Sequence, residues 1–189
     1  MPIKLNKGLN LQIAGAADAK ISGTVAVDRC AIVPDDYPGF QARPAVKEGD
    51  RLGIGDAVAY DKLHPGLKLV SPMSGVLKSI VRGERRRIIR FEIESDGSDD
   101  AKRLHPESCN TRQEVISSLA EIGLLAMMRI RPYDIVPDPE VIPRDIFVTC
   151  IDSAPLAVSA VALAGEKAAE KLRKAVAFLK KATDGKVYL

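Results

Sequence analysis

The chain has 189 residues, with 28 Lys and Arg against 25 Asp and Glu for a formal net charge of +3, and is 46% hydrophobic and 28% charged. That balance describes a soluble chain of one large or two small domains with enough material for a core, and it does not by itself imply an extended polyanion as partner. Apolar runs stay far short of the roughly 20 residues that span a bilayer, and Cys30, Cys109 and Cys150 stand far apart with no C-x-x-C pair. Zinc, iron–sulfur and disulfide frameworks therefore have no footing. His64 and His105 alone make a poor His-rich metal site, and each cysteine reads as a small buried hydrophobe. The start, MPIKLNKGLNLQIAG, has no unbroken apolar h-region, so a cytoplasmic location is the default expectation.

Ile3, Leu5, Leu9, Leu11 and Ile13 recur with the period of two expected of half-buried strands, with Asn6-Lys7-Gly8 as their turn. Val25, Val27 and Ala31 to Val33 suggest a further edge segment. Pro34-Asp35-Asp36-Tyr37-Pro38-Gly39-Phe40 is a loop by its prolines and glycine, and it holds two of eight aromatic residues. Aromatics in such a loop either staple it to the core or face a ligand.

From Val46 to Glu94 the signals are densest. VKEGDRLGIGD places Gly49-Asp50 and Gly55-Asp56 around Leu52 and Ile54, and SPMSGVLKSIVRGE runs from Pro72 to Gly83-Glu84. Gly followed by an acid is the chemistry of tight turns that need positive φ. The echo of E-G-D in R-G-E suggests two similar halves folded against each other, though any small antiparallel domain has such turns. Strands are expected at 57–60, 67–70, 76–81 and 88–94, the last with Ile89, Phe91 and Ile93 inward and Arg90, Glu92 and Glu94 outward. Arg82, Arg85, Arg86 and Arg87 crowd the preceding turn. No aromatics interleave with them for base stacking, so a solvated or subunit-facing turn is the reading, with no nucleic acid as partner.

The order E-G-D-x-L-x-x-G, strand, turn, S-P-x-S-G-x-L-x-x-I resembles the lipoyl/biotinyl type of barrel-sandwich hybrid domain. Such domains carry a cofactor on a lysine at a hairpin tip. Lys62 falls short of that position, and His64-Pro65-Gly66 occupies the tip without a nucleophilic amine.

Asp96 to Asp100 is a polar break, and we expect a β-rich domain over residues 1–100 and the start of an α/β domain over 101–189. Beyond the break, Thr111 and Glu114 form a capping box ahead of the apolar face Val115, Ile116, Leu119, Ala120 and Ile122, and Gly123 stands where that helix stops. Prolines 132, 137, 139 and 143 make a long irregular connection. Asp145 to Cys150 reads as a strand buried on both faces. Ala160 to Ala182 reads as helical, broken at Gly165, with Ala168, Leu172, Ala175, Val176 and Leu179 inward and Glu170 paired to Lys174. Lys186-Val187-Tyr188-Leu189 opens a second, parallel strand, so the α/β domain is expected to be incomplete. Asp152 lies in Ile151-Asp152-Ser153-Ala154-Pro155, which is not a phosphate-cradling loop, and no G-x-G-x-x-G follows the first strand.

Taken together, the strings IKLNKGLNLQIAG, VKEGD, DKLHPG, SPMSG, RGERRR, GLLAMMRIRPY, IFVTCIDSAPLA and TDGKVY resemble the A subunit of the Na+-translocating NADH:quinone reductase, in the order of that family. Arg-Ile-Arg-Pro-Tyr and Asp-Ser-Ala-Pro depart from its common Arg-Thr-Arg-Pro-Phe and Asp-Thr-Asn-Pro. The resemblance implies the first part of a protein more than twice as long. It implies a peripheral subunit on the cytoplasmic side of the inner membrane, in a six-subunit complex that oxidises NADH, reduces ubiquinone and pumps sodium. It associates this subunit with the quinone end, ubisemiquinone to ubiquinol, and with docking the sister subunits that hold the flavins and the iron–sulfur centre. No cofactor is then bound by this chain, and the isolated fragment is expected to be inactive. The other class open to the sequence is a stand-alone barrel-sandwich binding or carrier module.

A quinone needs a flat apolar wall and donors aimed at its carbonyl oxygens. Two loops combine these: Tyr37 to Phe40, and Arg129-Ile130-Arg131-Pro132-Tyr133. Tyr37, Phe40 and Tyr133 are the candidate stacking groups and Arg129 and Arg131 the candidate donors. The competing reading has the arginines capping the preceding helical turn.

Overall fold

The computed structural model describes residues 13–15, 18, 21–103, 108–150, 152, 154, 156–158, 165 and 167–189. The expected strands around Ile3, Leu5, Leu9 and Leu11 lie outside the described residues, as do His105, the helical stretch 160–164, and residues 151, 153 and 155 of the Ile151–Pro155 loop.

Two antiparallel sheets make up the first part. One holds β1 (Arg29–Ile32), β3 (Arg51–Leu52), β6 (Gly75–Arg82) and β7 (Ile88–Ser95) in the order β1-β7-β6-β3. The other holds β2 (Ala42–Pro44), β4 (Ala57–Asp61) and β5 (Lys68–Val70) in the order β2-β4-β5. Leu77, Phe91 and Ile93 from the first sheet and Val58, Ala59 and Leu69 from the second share one core. Burying each of the larger of these side chains contributes about 1.5–3 kcal/mol. This is the barrel-sandwich hybrid that the strand order led us to expect.

The two dense motifs do meet. The Gly49 N–H donates to the Leu77 carbonyl (2.8 Å) and the Leu77 N–H to that of Asp50 (2.9 Å). Gly49 and Gly55 turn at φ +92° and +86°, and their neighbouring acids close the turns: Asp50 accepts the Lys47 N–H and Asp56 the Gly53 N–H. The third turn departs from expectation. Gly83 keeps φ −102°, and Arg85 and Arg86 carry the left-handed conformation instead, at φ +54° and +63°. Gly83 answers a need for space, because a Cβ there would meet Ile89 Cδ1 at 3.0 Å.

That turn also corrects the facing of the last strand. The β6–β7 register shifts where Val81 opposes Arg90 but Arg82 opposes Ile88. The irregularity leaves Ile88 buried and Ile89 43% exposed, opposite to the simple alternation. Upstream, Val25 and Val27 are exposed and belong to no strand; pairing begins at Arg29. The acidic run is held against the barrel: Ile54 exchanges hydrogen bonds with Asp100 and Lys102, and Ser74 Oγ donates to the Asp100 carbonyl. Within it, Asp96 is held at about pKa 2 by the Ser98 hydroxyl and N–H, then by Arg51.

Beyond it, α1 (Arg112–Glu121) carries the full capping box between Thr111 and Glu114. It buries Val115, Ile116, Leu119 and Ala120, and Gly123 ends it at φ +77° against Val70 of β5. The strand expected over Asp145 to Cys150 is shorter and more exposed than its composition suggested. β8 (Ile146–Phe147) pairs in parallel with β9 (Val187–Tyr188), as expected, but in a two-stranded sheet with Phe147 72% exposed. No third strand or covering helix buries it among the described residues. The helix α2 (Ala168–Leu179) carries the Glu170–Lys174 pair at 2.6 Å. Its expected inner side is not buried: Leu172 and Ala175 are exposed, and Val176, Phe178 and Leu179 are half-buried. Cys109 is buried and Cys30 half-buried, whereas Cys150 is exposed, against the reading of all three as core.

Candidate functional site

Two loops far apart in sequence meet on the barrel. The first is a 3-10 turn over Pro34–Asp36 that leads into Tyr37 and Phe40. The second follows the 3-10 turn Leu125–Met127 and doubles back, the Ile130 N–H donating to the Ile135 carbonyl and the Asp134 N–H to that of Ile130, both at 2.8 Å. Arg129 joins them, donating to the carbonyls of Ala126 (2.9 Å), Met128 (2.8 Å) and Asp36 (3.0 Å). The Val136 N–H donates to the Pro38 carbonyl at 2.8 Å. Gly39, at φ +90°, lets Ile135 approach to 3.3 Å of where its Cβ would stand.

The five candidate residues occupy different environments. Phe40 is 9% exposed and belongs to the core, with the half-buried Tyr37 ring tilted against it at 6.5 Å. Arg129 directs its guanidinium at main-chain carbonyls, including those of the preceding helical turn, and so takes the capping role. Arg131 is exposed and ion-paired to Asp134 at 2.9 Å, beside a cis Arg131–Pro132 peptide. Tyr133 is 76% exposed. Tyr133 and Arg131 thus offer a ring and a donor to solvent, while Tyr37, Phe40 and Arg129 form the support beneath.

A second concavity was foreshadowed in the sequence only by R-G-E-R-R-R. Arg43 of β2 faces Arg82, Arg85 and Arg86 across a cavity of ≈ 540 Å³, and an adjoining one of ≈ 380 Å³ adds Lys62 and Arg87. Arg43 and Lys62 carry no local signal, since only the sheet packing brings them to this turn. Lys62 itself is exposed in the β4–β5 connection. The preceding Asp61 is 2% exposed and accepts the N–H groups of Gln41, Leu63 and His64 at 2.6–2.9 Å. It shapes the tip at His64-Pro65-Gly66.

Among the described residues no helix is long and apolar enough to cross a membrane, and no group of His, Cys, Asp and Glu is placed to hold a metal ion. Residues 3–96 match the NqrA N-terminal barrel-sandwich hybrid domain and residues 110–189 the NqrA second alpha/beta domain. The chain is 36% identical over 191 residues to the A subunit of the Na(+)-translocating NADH-quinone reductase of Hahella chejuensis, covering 99% of this chain and 42% of that protein. It is 37% identical over 159 residues to the protein of the same name from Pseudomonas aeruginosa, covering 82% and 36%. For that of Neisseria meningitidis serogroup A the identity is 34%, covering 99% and 42%. The chain thus spans about two-fifths of the length of these relatives. With both family domains matched in order across nearly all its residues, the chain belongs to the NqrA family, the A subunits of Na+-translocating NADH-quinone reductases.

Proposed function

We propose that this chain is the first part of a peripheral subunit of a six-subunit sodium-pumping NADH:ubiquinone oxidoreductase, on the cytoplasmic side of the inner membrane. It works at the quinone-reduction end and in docking sister subunits. The names of its relatives support the complex. The convergence of the 37–40 and 129–133 loops supports the site: Arg129 ties Asp36 to the segment that presents Tyr133 and Arg131. Tyr133 supplies a flat ring for the quinone, and Arg131, released from Asp134, donates to a carbonyl oxygen. Tyr37, Phe40 and Arg129 keep the two loops in register. A donor held beside the reacting oxygen stabilises the negative charge that develops there on reduction. NADH oxidation, the flavins and the iron–sulfur centre belong to other subunits in this reading. The purified chain is then colourless, without NADH oxidation of its own, and a stoichiometric chromophore surviving gel filtration would overturn that division of labour.

The site is tested by photolabelling the assembled complex with an azido-quinone, comparing wild type with Tyr133→Ala and Arg131→Ala. Label on the 129–133 segment, reduced in both variants, is the expected result. Label elsewhere, with turnover intact in both variants, rejects these loops as the quinone site.

A further inference from the structure

We propose that the cleft between β2 and the β6–β7 turn binds a phosphate group, carried either by an anionic lipid headgroup or by a free phosphate ester. The proposal is independent of the quinone reading.

Arg43, Lys62, Arg82, Arg85, Arg86 and Arg87 line the two adjoining cavities, against one lining carboxylate, Asp35. Arg87 already pairs with that carboxylate. Among the described residues no ion pair engages Arg43, Arg85 or Arg86. Guanidinium groups gathered without counter-charge repel one another. A bound anion removes that repulsion, and a phosphate matches the planar donor fork of arginine in both charge and shape.

The backbone adds an independent observation. Arg85 and Arg86 are consecutive residues in the left-handed region, at φ +54° and +63°. Glycine adopts that conformation without penalty, and a side chain there carries backbone strain. Strained residues of this kind concentrate at ligand clamps, and here both line the cavity. Nucleic acid fits less well than a lone phosphate. The aromatic ring beside the cleft, Phe40, is buried in the core and gives no stacking surface.

The test measures binding of inorganic pyrophosphate to the chain by calorimetry at low salt. A parallel arm measures co-sedimentation with phosphatidylglycerol-containing vesicles against phosphatidylcholine alone. The key variant is Arg85→Gly/Arg86→Gly, which removes two charges and relaxes the strained turn, so it melts no lower than wild type. Lys171→Ala/Arg173→Ala on the exposed face of α2 removes the same charge elsewhere. We expect the turn variant to weaken pyrophosphate binding by about tenfold or more through lost charge-assisted hydrogen bonds, and the helix variant to leave it unchanged. Vesicle binding lost in the turn variant assigns the phosphate to a lipid headgroup; pyrophosphate binding without vesicle binding assigns it to a free ester. The proposal is overturned if neither probe binds the wild type, or if the turn variant binds both as the wild type does.

Discussion

Arg129 donates from Nη2 to the main-chain carbonyl of Asp36 across 3.0 Å, joining segments 93 positions apart in the chain. Its other terminal nitrogen serves the carbonyls of Ala126 and Met128, so one guanidinium holds a turn closed and fastens it to the barrel. Arg129→Ala should lose about 1–3 kcal/mol, the cost of leaving such carbonyls without a donor. Arg129→Lys, without the fork, should recover part of that. Urea unfolding of the three chains measures this, and an unchanged midpoint in the alanine variant would show that the loops meet without its help.

Asp61 presents the same logic with the charges reversed. Its buried carboxylate accepts three main-chain N–H groups, which no alanine can replace. Asp61→Ala should cost about 1–3 kcal/mol for unsatisfied donors. Amide exchange at Leu63 and His64 should speed up with it. Protection retained at both positions would mean that other acceptors suffice.

Gly75 tests the close approach of β6 and β7. A Cβ on it would stand far inside the van der Waals contact distance of the Glu94 carbonyl oxygen, with the backbone of Ser95 at 3.0 Å. No flexible side chain is available to yield. Gly75→Ala is expected to destabilise the barrel by about 1–3 kcal/mol or more, as overpacking does, and thermal melting should report it. A variant melting with the wild type would show that the strands can separate at this point.

The pairing of β8 with β9 should depend on pH. Asp145 accepts the Lys186 N–H at 2.9 Å, and this bond, then Arg144, holds its carboxyl below the ordinary value of 3.8. A folded-state pKa below the unfolded one gives stability that is fully present above 3.8 and lost as pH falls through the lower folded value. Above about pH 5 the amides of Val148 and Lys186 should therefore be protected relative to their intrinsic exchange rates, and progressively less so as pH falls below the ordinary value of 3.8. Asp145→Asn should flatten that acid limb. A limb unaltered in the asparagine variant assigns the effect to another carboxyl.

Several local features can be read directly from the residues. Thr111 and Glu114 close their box because the bond partners lie three residues apart, and Gly49 and Gly55 take positive φ because no other residue does so freely. The motif order carries the barrel-sandwich fold, and the two short hydrophobic runs carry the parallel pairing of Ile146 with Val187. Ile89 escapes such a reading because an irregularity in register between Val81 and Arg82 swaps the facing of Ile88 and Ile89 at the turn end, while Phe91 and Ile93 stay buried. The inner face of α2 escapes it because a periodic apolar stripe says which side would be buried, not whether anything covers it.

What the residues decided alone were therefore the Thr111–Glu114 cap, the Gly49 and Gly55 turns and family membership, all set by bonds within a few positions or by motifs in fixed order. What the tertiary structure decided was which distant groups share a surface. Arg129 reaches Asp36, and Arg43 faces Arg85 and Arg86, only because sheet packing brings their backbones together. No period or spacing records such contacts, since burial and charge pairing act on distance in space and not on distance along the chain.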